Sequence, residues 1–175
     1  MKRREFIRVF ISTAAVWPLV ARAQGARKVY RIGTLTVSRL ELASHFIKAF
    51  EESMAELGYV SGSNIIYEHR FAGGQLEQLP VLAKELAELN VDVIVAGNNA
   101  SIGAAKQVTS TIPIVTTYSI DPIGAGFIAS LARPGGNITG LASISAELGG
   151  KRLELLKETI PKLARVAFLW NPQTS

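Results

Sequence analysis

Two short and almost continuous apolar runs constrain the fold of this chain most strongly: VDVIVA at residues 91–96 and IPIVT at residues 112–116. Apolar runs of this length, rich in β-branched residues, are typical of strands that are covered on both faces of a sheet. The residues between them, 101–108, have the pattern of a helix. Because a helix that connects two neighbouring buried strands makes them parallel, the two runs predict the centre of a parallel sheet.

The same alternation of strand-like and helix-like segments continues along the chain at a spacing of about 25 residues. Further strands are predicted at residues 29–35, 65–71, 138–141 and 164–170. Further helices are predicted from an N-cap at Ser38 to Gly58, and at residues 76–89, 126–132 and 147–159. The alternation predicts an α/β fold, a doubly wound parallel sheet with right-handed crossovers.

The predicted strand at residues 65–71 differs from the others in its mixed polarity. Tyr67 and His69 fall on one face, and Glu68 and Arg70 fall on the other. A strand with charged side chains on one face and polar aromatic side chains on the other does not suit the middle of a covered sheet, so this strand is predicted at a sheet edge.

Residues 1–24 have the pattern of an export signal. A basic start leads into an apolar stretch at residues 9–20, and Ala21-Arg22-Ala23 supplies a cleavage pattern of small residues. The stretch is shorter than the roughly 20 apolar residues that span a bilayer, which disfavours a retained anchor. Arg3-Arg4 resembles a twin-arginine export motif, and an ordinary secretion leader with adjacent arginines is the alternative. Both predict a periplasmic protein.

The charge of the chain excludes an obvious nucleic-acid partner. The net charge is +5, but the leader holds five basic residues against Glu5 alone and therefore accounts for four of the five net charges. The rest of the chain contains no dense run of lysine and arginine of the kind that binds phosphate backbones. There is also no cysteine, which excludes disulfides, thiolate metal sites and lipid attachment at the cleavage site.

The common catalytic and cofactor motifs are absent from the sequence. No glycine lies between Gly33 and Gly58, so the glycine-rich loop that binds dinucleotides after a first strand is missing. The sequence also lacks the phosphate-binding loop motif of nucleoside triphosphatases and the serine elbow motif of hydrolases. His45 and His69 have no second ligand at metal-binding spacing, and a structural or solvent-facing position is predicted for both. We therefore predict no catalytic residue, no metal and no cofactor.

The loops that follow three predicted strands are candidates for a ligand site. In an open parallel sheet, ligands bind beyond the carboxyl ends of the strands. The loops there are TVSR at residues 36–39, GNNAS at 97–101 and TYSIDP at 117–122, which are rich in hydroxyls and amides. Asn98, Ser101 and Asp121 could each be only a helix cap or turn former. Together, the three loops favour a cleft for a small polar ligand.

Several segments resemble the TrpX-like family of substrate-binding proteins of ABC transporters. They are GYVSGSN at residues 58–64, VDVIV at 91–95, TIPIV at 111–115, DPIG at 121–124, SLARPGGNITG at 130–140 and KRLELL at 151–156. The resemblance implies a type I periplasmic binding protein, in which two α/β lobes close on a small molecule and present it to an ABC permease in the inner membrane. Such a protein is expected to be a monomer when full length. Members of the family are commonly associated with amino acids, including aromatic ones.

By the same resemblance, the ligand contacts should come from Thr36, Asn98, Asn99, Ala100, Tyr118 and Asp121. Many relatives have small residues and a Thr-Pro pair where this chain has residues 98–101, which leaves the ligand class open. Two other functions remain as alternatives: a periplasmic sensor domain that signals to a membrane receptor or kinase, and an exported α/β enzyme.

The sequence divides into a leader at residues 1–24, an N-terminal α/β lobe at 25–142, and a crossover helix with the first strand of a second lobe at 143–175. Because an apolar strand directly precedes the last residues, we expect a truncated chain with an incomplete second lobe. A chain with half of its ligand contacts missing would bind very weakly or not at all.

Overall fold

The computed structural model describes residues 28–143, 145 and 147–169, so the predicted leader and Trp170 lie outside the described residues. Its centre is a parallel sheet of five strands in the order β2-β1-β3-β4-β5. The strands are β1 (Tyr30–Thr36), β2 (Ile65–Phe71), β3 (Val93–Ala96), β4 (Ile114–Ile120) and β5 (Ile138–Ser143). Each neighbouring pair is parallel, which confirms the predicted sheet.

Four α-helices lie in the described residues. They are α1 (Leu40–Glu56), α2 (Leu79–Glu88), which follows a short 3₁₀ turn at Leu76–Gln78, α3 (Asn99–Val108) and α4 (Gly149–Thr159). Helices α2 and α3 pack on each other and on one face of the sheet. Helix α1 lies over the other face, where Phe50 meets Tyr67 of β2 edge to face at 5.9 Å. The arrangement is the predicted doubly wound lobe.

The hydrophobic core lies between the sheet and the pair α2 and α3. Its largest fully buried apolar side chains include Leu35, Leu86, Ile94, Ile102 and Ile114. Helix α2 approaches the sheet closely at Gly33, where an added Cβ would lie only 2.9 Å from the Leu86 side chain. Glycine at this strand position therefore lets Leu86 reach the sheet, since a larger side chain would displace it.

The positions of the strands in the sheet follow the polarity of their sequences. The apolar run that contains β3 lies at the centre of the sheet, and β4 is an interior strand, as predicted. The polar strand β2 is an edge strand with the predicted bounds. Its two faces also separate as expected, since His69 contacts Glu51 of α1 on one face and Arg70 contacts Glu85 of α2 on the other.

Three predictions of local structure are wrong. Helix α1 has Arg39 as its N-cap, because Arg39 is still extended (φ −77°, ψ 154°) and its carbonyl accepts the first helical bond, from the backbone N–H of Ala43 at 3.1 Å. Residues 126–132 form turns and not a helix, because Gly126 has a φ of +69° that cannot continue a helix. Residues 164–169 form no strand, because no described segment pairs with their backbone.

Within the described residues, no helix is long and apolar enough to cross a membrane.

The fold predicts which of two leucine truncations destabilises the protein. Leu86→Ala should lower the free energy of unfolding by about 2–5 kcal/mol, because it leaves a cavity against the sheet. Leu42→Ala is the matched control, since Leu42 is 68% exposed on α1; its effect should stay within about 0.5 kcal/mol. Urea denaturation followed by circular dichroism measures both values. Similar losses for the two variants would contradict the placement of the core.

Candidate functional site

The carboxyl ends of β1, β3 and β4 open into two adjacent pockets. The first has a volume of about 600 Å³ and lies under α1; it is lined by Thr34, Thr36, Phe46, Phe50, Val95 and Tyr118, among others. We call it the apolar pocket. The second has a volume of about 750 Å³ and lies at the start of α3; its lining includes Asn98, Asn99, Ala100, Tyr118, Ile120 and Asp121. We call it the amide pocket. Both volumes are in the range of small-molecule sites.

Tyr118 lines both pockets. The register between β4 and β5 shifts between Thr116 and Ser119, so Thr117 and Tyr118 have no paired position in the ladder. An irregularity of this kind turns side chains away from the regular alternation of a strand. The hydroxyls of Ser143 and Ser145, with the charge of Arg152, lower the pKa of the Tyr118 phenol. The phenol therefore lies near the end of β5.

Asn99 joins α3 to the end of β4. Its Oδ1 accepts a hydrogen bond from Ser119 Oγ at 2.9 Å and one from the backbone N–H of Ile120 at 3.1 Å. Its Nδ2 donates to the backbone carbonyl of Ile120 at 2.8 Å. Three bonds from one side chain leave a single amide hydrogen for any ligand. The main role of Asn99 in this geometry is to hold β4 beside the start of α3.

The neighbouring residues provide the first turn of α3. Asn98 is its N-cap, with Oδ1 accepting from the backbone N–H of Ser101 at 3.0 Å. The backbone N–H groups of Asn99 and Ala100 precede any intrahelical acceptor, as in the first turn of every α-helix. These two donors and the positive end of the helix dipole suit a carboxylate.

Asp121 and Thr36 complete the set of predicted ligand residues. Asp121 has a φ of +43°, and its Oδ1 accepts from the backbone N–H of Gly124 at 2.9 Å, so part of its carboxylate closes its own turn. Thr36 is half-buried in the apolar pocket, and a Cβ added at the neighbouring Gly97 would lie 3.3 Å from Thr36 Oγ1. All six predicted residues thus lie at the carboxyl ends of the strands. Their contact with a ligand stays a prediction.

The sequence interpretation missed the α1 wall of the apolar pocket. Phe46 and Phe50 lie in the helix predicted after Ser38, which carried no predicted ligand residue, yet both line the pocket and Phe46 is 69% exposed. Helix α1 covers a sheet face on which β1 carries the small polar side chains of Thr34 and Thr36, and its aromatic side chains border the cavity beside them. A threonine-containing strand next to an aromatic helix face is the signal that could have indicated this wall.

The second missed feature is a hydrogen-bonded network of Thr34, His69 and Glu51. Thr34 Oγ1 lies 2.8 Å from His69 Nδ1, and His69 Nε2 lies 2.9 Å from Glu51 Oε1. The three residues come from β1, β2 and α1, so no local spacing in the sequence reveals them. In the part of the chain that the structure describes, no three histidine or acidic side chains come together to hold a metal.

Comparisons with known proteins agree with this architecture. A family profile described as ABC transporter substrate binding protein matches residues 41–175. The tyrosine-binding protein of Clostridioides difficile (strain R20291) is 34% identical over 127 residues, which is 72% of this chain and 35% of that protein. The chain thus spans about a third of the length of this curated relative.

Two solved structures share the fold over 77% of this chain and 45% of their own. A conserved domain protein from Vibrio cholerae has a TM-score of 0.68 and 27% identity. The ligand-free, open form of a substrate-binding protein with adhesive properties from Clostridium difficile has a TM-score of 0.63 and 28% identity.

The geometry predicts that Asn99 stabilises the site. Asn99→Ala removes three hydrogen bonds and leaves the buried Ser119 hydroxyl without its partner, so it should lower the free energy of unfolding by about 1–3 kcal/mol. Gln107→Ala, at an exposed position of the same helix, is the control and should change the value by less than about 0.5 kcal/mol. Chemical denaturation measures both. Equal effects would show that Asn99 does not hold β4.

Proposed function

Because this chain belongs to the ABC transporter substrate-binding protein family, we propose that it binds an amino acid in the cleft formed by the apolar and amide pockets. Members of this family bind a substrate and do not transform it, so the site is one of recognition. The groups that line the cleft are hydroxyls, amides and aromatic rings, which suit recognition.

The proposal rests on one main observation: the two pockets differ chemically, and Tyr118 lines both of them. A free amino acid has a charged carboxylate and amino group at one end. Its side chain, which can be apolar, lies a few bonds away. The first turn of α3 offers N–H donors for the carboxylate, and the apolar pocket offers Phe46, Phe50 and Val95 to an apolar or aromatic side chain. A ligand that lies across Tyr118 satisfies both.

The relatives support an aromatic amino acid as the first ligand to test. The curated relative from Clostridioides difficile is named for tyrosine. In this chain the aromatic rings at the pocket, Phe46, Phe50 and Tyr118, would provide the edge-to-face or stacked contacts that aromatic side chains favour.

The proposal extends to transport. The ligand would be delivered to an ABC permease in the inner membrane, and the protein would act in the periplasm as a soluble monomer. Residues 25–142 would form the N-terminal lobe, and residues 143–175 would begin a second one. Family membership, the leader pattern at residues 1–24 and the end of the last described strand at Ser143 support these assignments.

In a two-lobed binding protein the ligand stabilises the closed state through contacts with both lobes. This chain spans 45% of the length of each of the two solved structures, so by itself it can supply ligand contacts from one lobe. We therefore expect an affinity of this chain for L-tyrosine in about the millimolar range, where binding energies are roughly 4 kcal/mol.

Titration of the isotopically labelled chain with L-tyrosine, followed by NMR, tests the proposed site. The amide resonances of Thr36, Ala100 and Tyr118 should shift, and those near Lys28 and Asp92, at the opposite end of the sheet, should not. Tyr118→Ala should weaken the affinity about tenfold or more, because it removes the wall that both pockets share.

The control for this experiment is Tyr30→Ala, which removes a partly exposed tyrosine at the amino end of the sheet. Its affinity for L-tyrosine should equal that of the unmodified chain. An unchanged affinity in Tyr118→Ala, or shifts that cluster around Lys28 and Asp92, would show that the ligand does not use this cleft.

A further inference from the structure

The network of Thr34, His69 and Glu51 lies directly behind the apolar pocket. Thr34 and His69 are paired in the register of β1 and β2, so their side chains emerge on the same face of the sheet. Glu51 reaches the imidazole from α1 above that face. The Thr34 residue is only 5% exposed and lines the pocket, whereas the side chains of His69 and Glu51 are partly exposed behind it.

The imidazole is held in place by aromatic neighbours. The ring of Tyr67 stacks on it at 5.8 Å with an interplanar angle of 7°, and the Phe71 ring lies 6.2 Å away. With Thr34 at one nitrogen and Glu51 at the other, the ring has both of its polar atoms occupied. The ring orientation is therefore set by contacts on its nitrogens and on its faces.

Glu51 determines the direction of the hydrogen bonds in this network. An ionised carboxylate can only accept, so His69 Nε2 must carry the hydrogen that lies between them. In a neutral imidazole the other nitrogen, Nδ1, then has a lone pair and accepts. The Thr34 hydroxyl must donate its only hydrogen to Nδ1, and lone pairs are all that Thr34 Oγ1 has left for the pocket.

A hydrogen-bond acceptor of fixed direction on a mostly apolar wall distinguishes between ligands that are otherwise alike. A ring that carries an N–H or O–H donor can satisfy it, whereas a plain hydrocarbon ring of similar size leaves it without a partner, at a cost in binding free energy. We infer that His69, oriented by Glu51, makes the apolar pocket selective for an aromatic side chain that bears a hydrogen-bond donor, by fixing Thr34 Oγ1 as an acceptor. This inference rests on the proposed function.

The test compares two probes, L-tyrosine and L-phenylalanine, which differ by one hydroxyl. Their dissociation constants for the same chain are measured by NMR titration at about pH 8. The chain should prefer tyrosine by about three- to tenfold, the value of one good hydrogen bond.

Substitutions distinguish the proposed effect of Thr34 and His69 on ligand selectivity from a general effect on the structure. Thr34→Val keeps the shape of the side chain and removes the acceptor, so the preference should fall to about one. His69→Gln retains an acceptor and a donor, so the preference should persist. Thr139→Val makes the same change at an exposed position of β5, outside both pockets, and should leave the preference intact.

Circular dichroism of each variant verifies the fold before the ratios are compared. If both amino acids shift the cleft resonances but bind the unmodified chain equally well at pH 8, the inference is overturned and the proposed function stands. If neither amino acid shifts them, both are overturned. A preference for tyrosine that survives in Thr34→Val would also overturn the inference, because the acceptor would then lie elsewhere.

Discussion

The burial of one face of the sheet against α2 and α3 is the constraint on which the rest of the structure depends. Leu35, Leu86, Ile94, Ile102 and Ile114 are all nearly inaccessible to solvent in this layer. Each such side chain contributes about 1.5–3 kcal/mol relative to an exposed position. The opposite face carries Thr34 and Thr36 under α1, and it leaves room for a cavity. One face of the sheet therefore provides stability, and the other provides the site.

The sheet face that packs against α2 and α3 also positions the site on the opposite face. Asn99 belongs to α3, which packs in the core, and its three hydrogen bonds hold the end of β4. The register shift just before that point frees Tyr118 from the regular alternation of the strand. The orientation of Tyr118, which both pockets share, is thus set by a helix whose own position is fixed by apolar packing. Recognition depends on the core through this connection.

The sequence predicted those features that depend on local pattern and on chain topology. The apolar run around β3 and the mixed polarity of β2 were sufficient to place one strand at the centre and the other at the edge. Since strands of a parallel sheet end at one edge, the three polar loops could also be placed together. Residues 126–132 were misjudged because their apolar spacing suits a helix, while the positive φ of Gly126 is a property of the folded backbone.

Contacts between distant segments were beyond the reach of the sequence. Glu51 and His69 lie 18 positions apart in the chain, and Thr34 lies 35 positions before His69. None of these separations is a recognised spacing, and they become neighbours only when α1 crosses the face of β1 and β2. A histidine that lacked sequence partners was therefore assigned a structural or solvent-facing position, although its two nitrogens have well-defined partners beside the pocket.

Tyr118 suggests how ligand recognition could be transmitted in the proposed two-lobed protein. Ligand binding shifts a conformational equilibrium only if its contacts differ between the two states. Tyr118 lines both pockets, and the hydroxyls of Ser143 and Ser145, in the segment where the second lobe would begin, lower the pKa of its phenol. A ligand in either pocket lies against Tyr118, so a ligand contact and the start of the proposed second lobe meet at one side chain.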